Sequence, residues 1–336
     1  MKVSDFTSKI FSQKIAIIGD FLVDEYIYGH TSKIAREAPV IVTKYSKSEK
    51  RIGGAGNAVK NAVAWGGTVV PIGFVGDDEN GKFIIKELQH SGVSTDNIVV
   101  VNGRNTPTKT RVMSGIKRGS YQQVLRMDRQ DDTPYMFEYQ KQLAENLNSV
   151  LEFIKPDLIL VSDYGLSTIT GQITYELSNT KLVVDHPLFI DSHNIKSFQK
   201  SKGVIVNMEE ALAAVNTKEP SMPWETRELC RKLIEKFDTE CVLLTRGKEG
   251  VVLLEKQTSD VGELISIPAD ARFSPVDITG AGDTVAVAFA RSLIASENAE
   301  LAAKIANTSA GISVSQPGAS VADIRKVIDC VGLERP

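Results

Sequence analysis

The chain has 336 residues, with 39 Lys and Arg against 42 Asp and Glu, a formal net charge of −3. That balance excludes a global basic field for nucleic acid or anionic lipid, so any phosphate must be gripped locally. The opening MKVSDFTSKIFSQK has neither the apolar core nor the cleavage site of a secretory signal, and no apolar run spans a bilayer, which predicts a cytoplasmic protein. Cys230, Cys241 and Cys330 are odd in number and lack metal-type spacing, so free thiols are expected.

Lys14 to Gly19 (KIAIIG) reads as a short buried strand, followed by Asp20 and Asp24 in GDFLVD. Carboxylates at the carboxyl end of a buried strand lie where open α/β sheets bind ligands, and they suit hydroxyl-rich substrates. The alternative is that one of them caps a turn. Pro39 to Lys47 alternates as a strand with one wet face. Gly53, Gly54 and Asn57 then lead into a helix ending at Gly66-Gly67; the glycines permit close approach to a ligand, and Asn57 both donates and accepts. A simple helix-entry turn is the rival reading. The stretch is not a dinucleotide fingerprint, because Val59 stands where a third Gly or Ala is wanted.

Strand 68–75, helix 79–90 and strand 98–101 follow. Thr108 to Ser114 and Tyr121 to Asp128 alternate around the basic turn Gly115 to Ser120, a hairpin that with 39–51 predicts a small β excursion. Lys109, Arg111 and Arg126 are its candidates to hold an anion, against the alternative of a solvated charged face. Helix 138–153, strand 157–161, helix 170–177, strand 181–184, strand 203–206, helix 207–215, helix 223–236 and strand 241–244 complete a helix–strand alternation. That order predicts a mostly parallel sheet covered on both faces, one α/β domain with a β lid. Asn207 and Glu210, three apart at a strand-to-helix junction, either reach a hydrated Mg²⁺ or form a helix cap. Thr245, Gly247 and Gly250 either pass over nucleotide phosphates or turn a hairpin into VVLLE.

The last signal is Asp277-Ile278-Thr279-Gly280-Ala281-Gly282-Asp283-Thr284, running into VAVAFA. A glycine turn feeding a helix start presents free N–H groups at the positive end of a dipole, an anion site. Asp283 at its mouth fits a base that accepts a proton from an attacking hydroxyl, with a plain N-terminal cap as the rival.

In this order, Asp24, Gly53-Gly54 with Asn57, Asn207 with Glu210, Thr245-Arg246-Gly247 and Gly280 to Asp283 resemble the ribokinase-like (PfkB) carbohydrate kinases along nearly the whole chain. Within them, GDFLVDEYIYGHTSKIAREAPV, GGAGNAVKNAVAWGG, TKTRVMS, VLRMD, VSDY and DITGAGDTV are similar to the D-glycero-β-D-manno-heptose-7-phosphate 1-kinases of lipopolysaccharide synthesis. The resemblance implies a ribokinase-like fold with a lid of about 36–52 and 107–128; that kinase is often fused to a nucleotidyltransferase domain, and because this sequence stops at Pro336 a kinase domain alone is expected here. It implies Asp283 as base, with the amides of Gly280, Ala281, Gly282 and Asp283 stabilising the transferred phosphoryl group. Asp24, Gly54 and Asn57 would bind sugar hydroxyls, and Asn207 and Glu210 would organise Mg²⁺ through water. Thr245, Gly247, Gly250 and Asn307 would line the ATP site, and Asp277 and Thr279 match a monovalent-cation position, possible for K⁺. A homodimer through the lids would cover Val40, Val42 and Val112.

Heptose kinases usually carry a lysine after S-D-Y and another in D-P-K, whereas this chain reads SDYGLS and VDHPLF, and Arg36 replaces a proline before EAPV. Either His186, Lys109, Arg111 or Arg126 then holds the distal phosphate, or the substrate is another sugar such as ribose or fructose. A catalytically silent sugar- or nucleotide-binding relative is the third reading; a Walker-type NTPase is excluded by the lack of its motif, and a nicotinamide dehydrogenase is disfavoured.

Overall fold

Alternation of apolar residues along short strands fixes the architecture. In the strand β1 (Lys14–Ile34), Ile15 and Ile17 belong to one buried cluster, and Ala16 and Ile18 to a second on the other face. A strand apolar on both sides must be covered on both sides. The computed structural model describes residues 2–115, 121–131, 133–179, 185–193, 198, 200–257, 261–316 and 318–333.

The other strands are β2 (Ile41–Gly54), β3 (Thr68–Gly76), β4 (Ile98–Val101), β5 (Thr108–Gly115), β6 (Tyr121–Arg129), β7 (Leu158–Asp163), β8 (Leu188–Ser192), β9 (Gly203–Asn207), β10 (Cys241–Thr245), β11 (Val251–Glu255) and β12 (Ile265–Ile267). The main sheet runs β12-β11-β10-β9-β8-β7-β1-β3-β4, parallel from β10 to β4 with β11 and β12 as antiparallel edge strands.

Helices α1 (Val3–Ser12), α2 (Ala55–Ala64), α3 (Glu79–His90), α8 (Ala281–Ser296), α9 (Ala299–Val314) and α10 (Ile324–Val331) cover one face. The other face carries α4 (Phe137–Ser149), α5 (Gly171–Asn179), α6 (Met208–Val215) and α7 (Pro223–Phe237). On the first face Phe289 of α8 meets Phe189 of β8 edge to face, centroids 6.3 Å apart, both fully buried.

Three expectations need correction. β1 does not end at Gly19. It continues into the lid, exchanging its partners β3 and β7 for antiparallel β2 and parallel β5 from Phe21 onward, so Asp20 and Asp24 lie within the strand. Available pairing partners override the local glycine signal. The helix expected over 138–153 is α-helical only to Ser149; residues 150–154 form a wider π-type turn that stops at Lys155 with φ 53°. Strand β8 lies at Leu188–Ser192, a segment read as no element, while the strand expected over 181–184 falls outside the described residues. The hairpin β5–β6 is present, its turn at 116–120 also outside them.

The lid order is β2-β1-β5-β6. Because β1 is shared, the lid is an extension of the main sheet rather than a separate body, and it stands beyond the carboxyl ends of the parallel strands. Among the described residues the three cysteines are free, and no helix is long and apolar enough to cross a membrane.

Candidate active site

The octapeptide preceding α8 folds as its glycines dictate. Gly280 is the N-cap with φ 76°, a left-handed geometry that costs a side chain about 1–2 kcal/mol. A Cβ there would also meet Asn57 Nδ2 at 2.4 Å. Ala281 N–H donates to Ile278 O and Thr284 N–H to Gly280 O, whereas the N–H groups of Gly282 and Asp283 have no partner among the described residues. A side chain at Gly282 would project into open space, so glycine leaves the approach to those two amides clear. The result is two unpaired donors at the positive end of a 16-residue helix, the elements of an anion site.

Asp283 is 2% exposed. Its Oδ2 accepts from Asn57 Nδ2 at 2.8 Å and its Oδ1 from the Tyr164 hydroxyl at 2.8 Å. Burial, opposed by those two bonds, pushes its pKa up to about 6. The Asp24 carboxylate raises it further and Lys109 lowers it. A carboxylate with a pKa just under neutrality is ionised at pH 7 yet basic enough to take a proton.

Asp283 closes one end of a cavity of about 200 Å³, lined also by Asp24, Gly53, Gly54, Asn57, Lys109, Arg111, Tyr164, Thr279 and Gly280. That is below the ~300–1,000 Å³ of sites enclosing drug-sized ligands, and suits a single sugar unit. Strand register assembles it: Asp24 pairs across the lid with Arg51 on β2 and Lys109 on β5. Asp24 is ion-paired with Arg111, both side chains largely enclosed. Lys109 stands over the Tyr164 ring, 5.3 Å from its centroid. Asn57 Oδ1 is buried with no partner among the described residues, an acceptor left for a ligand hydroxyl.

Several predicted site residues lie elsewhere. Asp20 does not face the cavity: its carboxylate accepts the N–H groups of Tyr164, Leu166 and Thr168, so it holds the loop after β7. His186 precedes β8, at the amino end of the sheet, where its Nδ1 meets Pro156 O. It lines a separate hollow of about 500 Å³ with Lys200, Lys202 and Glu240, the wrong end for a site at the strand carboxyl ends. Arg126 forks onto Asp128 on the exposed strand β6 and does not line the cavity.

The positions expected to serve ATP and metal ions make contacts within the protein. Asn207 and Glu210 form a reciprocal capping box on α6, and Glu210 Oε1 also meets His193 Nδ1 at 2.6 Å. Among the described residues no cluster of three or more His, Cys, Asp or Glu side chains that could hold a metal ion occurs, and the two oxygen donors of Asn207 and Glu210 fit an ion whose other ligands are phosphate oxygens and water. Thr245 Oγ1 donates to Val206 O, and Gly247 and Gly250 turn the β10–β11 hairpin with φ 55° and 88°. Asn307 Nδ2 donates to Pro268 O. Asp277 accepts from Thr279 N–H and Gly318 N–H, closing the loop before α8.

Tyr164, Asp191 and His193 were not singled out from the sequence. Asp191, at the end of β8, is pushed well above the carboxylate range by burial and then by the Asp283 charge. His193 packs edge-on against Tyr164 at 5.3 Å. VSDY marked the segment of Tyr164, but only the fold turns its hydroxyl to Asp283.

Comparison with known proteins matches residues 12–325 to the family described as pfkB family carbohydrate kinase. The bifunctional protein HldE of Desulfatibacillum aliphaticivorans is 32% identical over 332 residues, 96% of this chain and 64% of that protein. HldE of Trichlorobacter lovleyi is 32% identical over 325 residues, 96% of this chain and 63% of that protein. The chain therefore spans just under two thirds of the length of these relatives. Arabidopsis thaliana ribokinase, complexed with ribose and ATP, superposes with a TM-score of 0.70 at 17% identity, covering 96% of this chain and 100% of that one. Escherichia coli phosphofructokinase-2 with substrates and products gives 0.73 at 14% identity, covering 95% and 99%. The fold is ribokinase-like.

Proposed function

The chain belongs to the pfkB family of carbohydrate kinases, and from that premise we propose that it is an ATP-dependent kinase that phosphorylates the anomeric hydroxyl of D-glycero-D-manno-heptose 7-phosphate to give the 1,7-bisphosphate. The observation that carries the chemistry is the buried Asp283 carboxylate beside the unpaired N–H groups of Gly282 and Asp283, at the end of a sugar-sized cavity. The heptose assignment is supported by the motif run from GDFLVDEY to DITGAGDTV and by the HldE relatives.

In this reading the sugar oxygen attacks the γ-phosphorus of ATP, the bond to the ADP oxygen breaks, and the hydroxyl proton passes to Asp283. The two amides hold the charge on the phosphoryl oxygens, where most catalysis of this reaction resides. Asp24 and the free Oδ1 of Asn57 receive sugar hydroxyls. Mg²⁺ would neutralise the triphosphate, with Asn207 and Glu210 ordering its waters. Thr245, Gly247, Gly250 and Asn307 remain the residues assigned to ATP, and Asp277 with Thr279 to a monovalent cation.

Lys109 is the residue we assign to the substrate's distal phosphate, because it lines the cavity without an ion pair among the described residues, whereas His186 and Arg126 do not line it. A homodimer through the lids is supported by exposed apolar side chains on both lid edges, Val40 and Ile41 at the start of β2 and Leu125 and Met127 on β6, while Val42 and Val112 are half-buried; sedimentation as a monomer at assay concentration would remove it.

The test is ADP release from Mg-ATP across a panel of sugars and sugar phosphates, repeated with Lys109→Met and His186→Ala. Turnover confined to heptose 7-phosphate, with KM raised in Lys109→Met alone, is the expected result. Turnover of ribose or fructose instead would discard the heptose and keep the mechanism. No turnover of any sugar would replace the enzyme by a silent binding relative.

A further inference from the structure

The two oxygens of the Asp283 carboxylate are held from opposite sides, by Asn57 on one and Tyr164 on the other. We propose that Tyr164 is the positioning residue of the Asp283 base, its hydroxyl fixing one carboxylate oxygen while Asp20 fixes the loop that carries it. The proposal rests on the kinase reading of the site and extends it.

The loop after β7 is built for this purpose. Asp20, 1% exposed, collects three alternate backbone donors at Tyr164, Leu166 and Thr168, at 2.8, 2.9 and 3.1 Å. Asp163 adds Gly165 N–H at 2.9 Å and the Ser192 hydroxyl at 2.6 Å. Neither carboxylate lines the cavity, and burial pushes Asp20 up to about 6 with Asp163 adding to the rise. Two buried acids spent on one loop mean that the place of its first residue matters. The Tyr164 ring is further held between His193, edge-on, and Lys109 above it.

The chemistry of the contact has one direction. Burial, with the Asp283 charge beside it, pushes the phenol well above its ordinary range, so Tyr164 stays an O–H and can only donate to the carboxylate. A donor bound to the ionised form favours that form, which holds the base ready at neutral pH. It also leaves the carboxylate no freedom to rotate away from the substrate hydroxyl. The charged and titratable groups facing Asp283 are Asp24 from β1, Lys109 from β5, Tyr164 after β7 and Asp191 from β8.

The test replaces the hydroxyl alone. In Tyr164→Phe the acid limb of kcat/KM moves to higher pH by about one unit or more, and plateau kcat falls by about tenfold with KM for ATP unchanged. Carboxyl-carbon NMR of the ligand-free protein, assigned with Asp283→Asn, reads the same rise of the Asp283 pKa without any turnover. 3-Fluorotyrosine at 164, a stronger donor of nearly the same shape, shifts both readouts the other way. An acid limb and an NMR titration that superpose on the wild type overturn the proposal, as does a fall in kcat with neither moving, the mark of a merely structural residue. Wild-type protein that turns over no sugar, with the NMR shift still seen in Tyr164→Phe, would instead sink the kinase reading and leave the contact standing.

Discussion

Asn57 Nδ2 donates to Asp283 Oδ2 across 2.8 Å, joining the first turns of α2 and α8, 226 residues apart in the chain. The nitrogen also lies 3.4 Å from Gly280 O, and a Cβ on Gly280 would come within 2.4 Å of it. Asp283, the amide that bonds it and the glycine that makes room for both are thus one packing unit.

That unit predicts the outcome of Gly280→Ala. The methyl group would meet Asn57 and force a left-handed alanine, at about 1–2 kcal/mol for the backbone alone. We expect kcat to fall tenfold or more as Asn57 is displaced from Asp283, with a smaller change in KM for ATP. Steady-state kinetics beside a denaturant melt separate the two effects. Wild-type kcat in a folded Gly280→Ala protein would show that the Asn57 contact is dispensable.

Asp283→Asn should lose activity by about a thousandfold or more and yet gain stability at pH 7. The sign follows from linkage. Folding raises the carboxyl from its ordinary 3.8 to about 6, so the folded state binds the proton more tightly than the unfolded one. Stability therefore falls as pH rises from about 4 to about 6, and the penalty is complete above that, on the order of 3 kcal/mol. Asparagine carries no charge to bury, so its advantage is present at pH 7 and gone at pH 4. Denaturant melts at the two pH values check this; an Asn variant less stable than the wild type at pH 7 contradicts it. The same group makes wild-type kcat/KM decline below about pH 6.

Arg291 offers a control remote from the chemistry. It is fully buried in α8, and its guanidinium donates to Gln13 Oε1, Ala62 O and Ile10 O, tying α8 to α1 and α2 with no carboxylate partner among the described residues. Arg291→Leu would strand those acceptors, at a cost of about 3 kcal/mol or more. Activity per folded molecule should hold. An unchanged denaturant midpoint would show that the acceptors find other partners.

Much of this protein is written in its local sequence. Continuous apolar runs such as Leu158 to Val161 and the helix–strand alternation after residue 135 specify a covered parallel sheet, because a strand apolar on both faces has no other place to go. The Gly280 to Asp283 turn is equally legible, since a glycine N-cap and unpaired amides are properties of the helix start itself. Only the tertiary structure decided which polar residues meet there. Asp20 and Asp24 are four apart on one strand and look interchangeable, but the loop after β7 takes Asp20 and leaves Asp24 to the cavity. His186 and Tyr164 divide in the same way: His186 precedes a strand at the amino end of the sheet, while Tyr164 follows one at the carboxyl end and turns its hydroxyl to Asp283. Hydrophobic periodicity is a short-range signal carried by each segment alone. The end of a sheet at which a side chain emerges, and what it meets across two hundred residues, depend on strand direction and register, which exist only once the chain has packed.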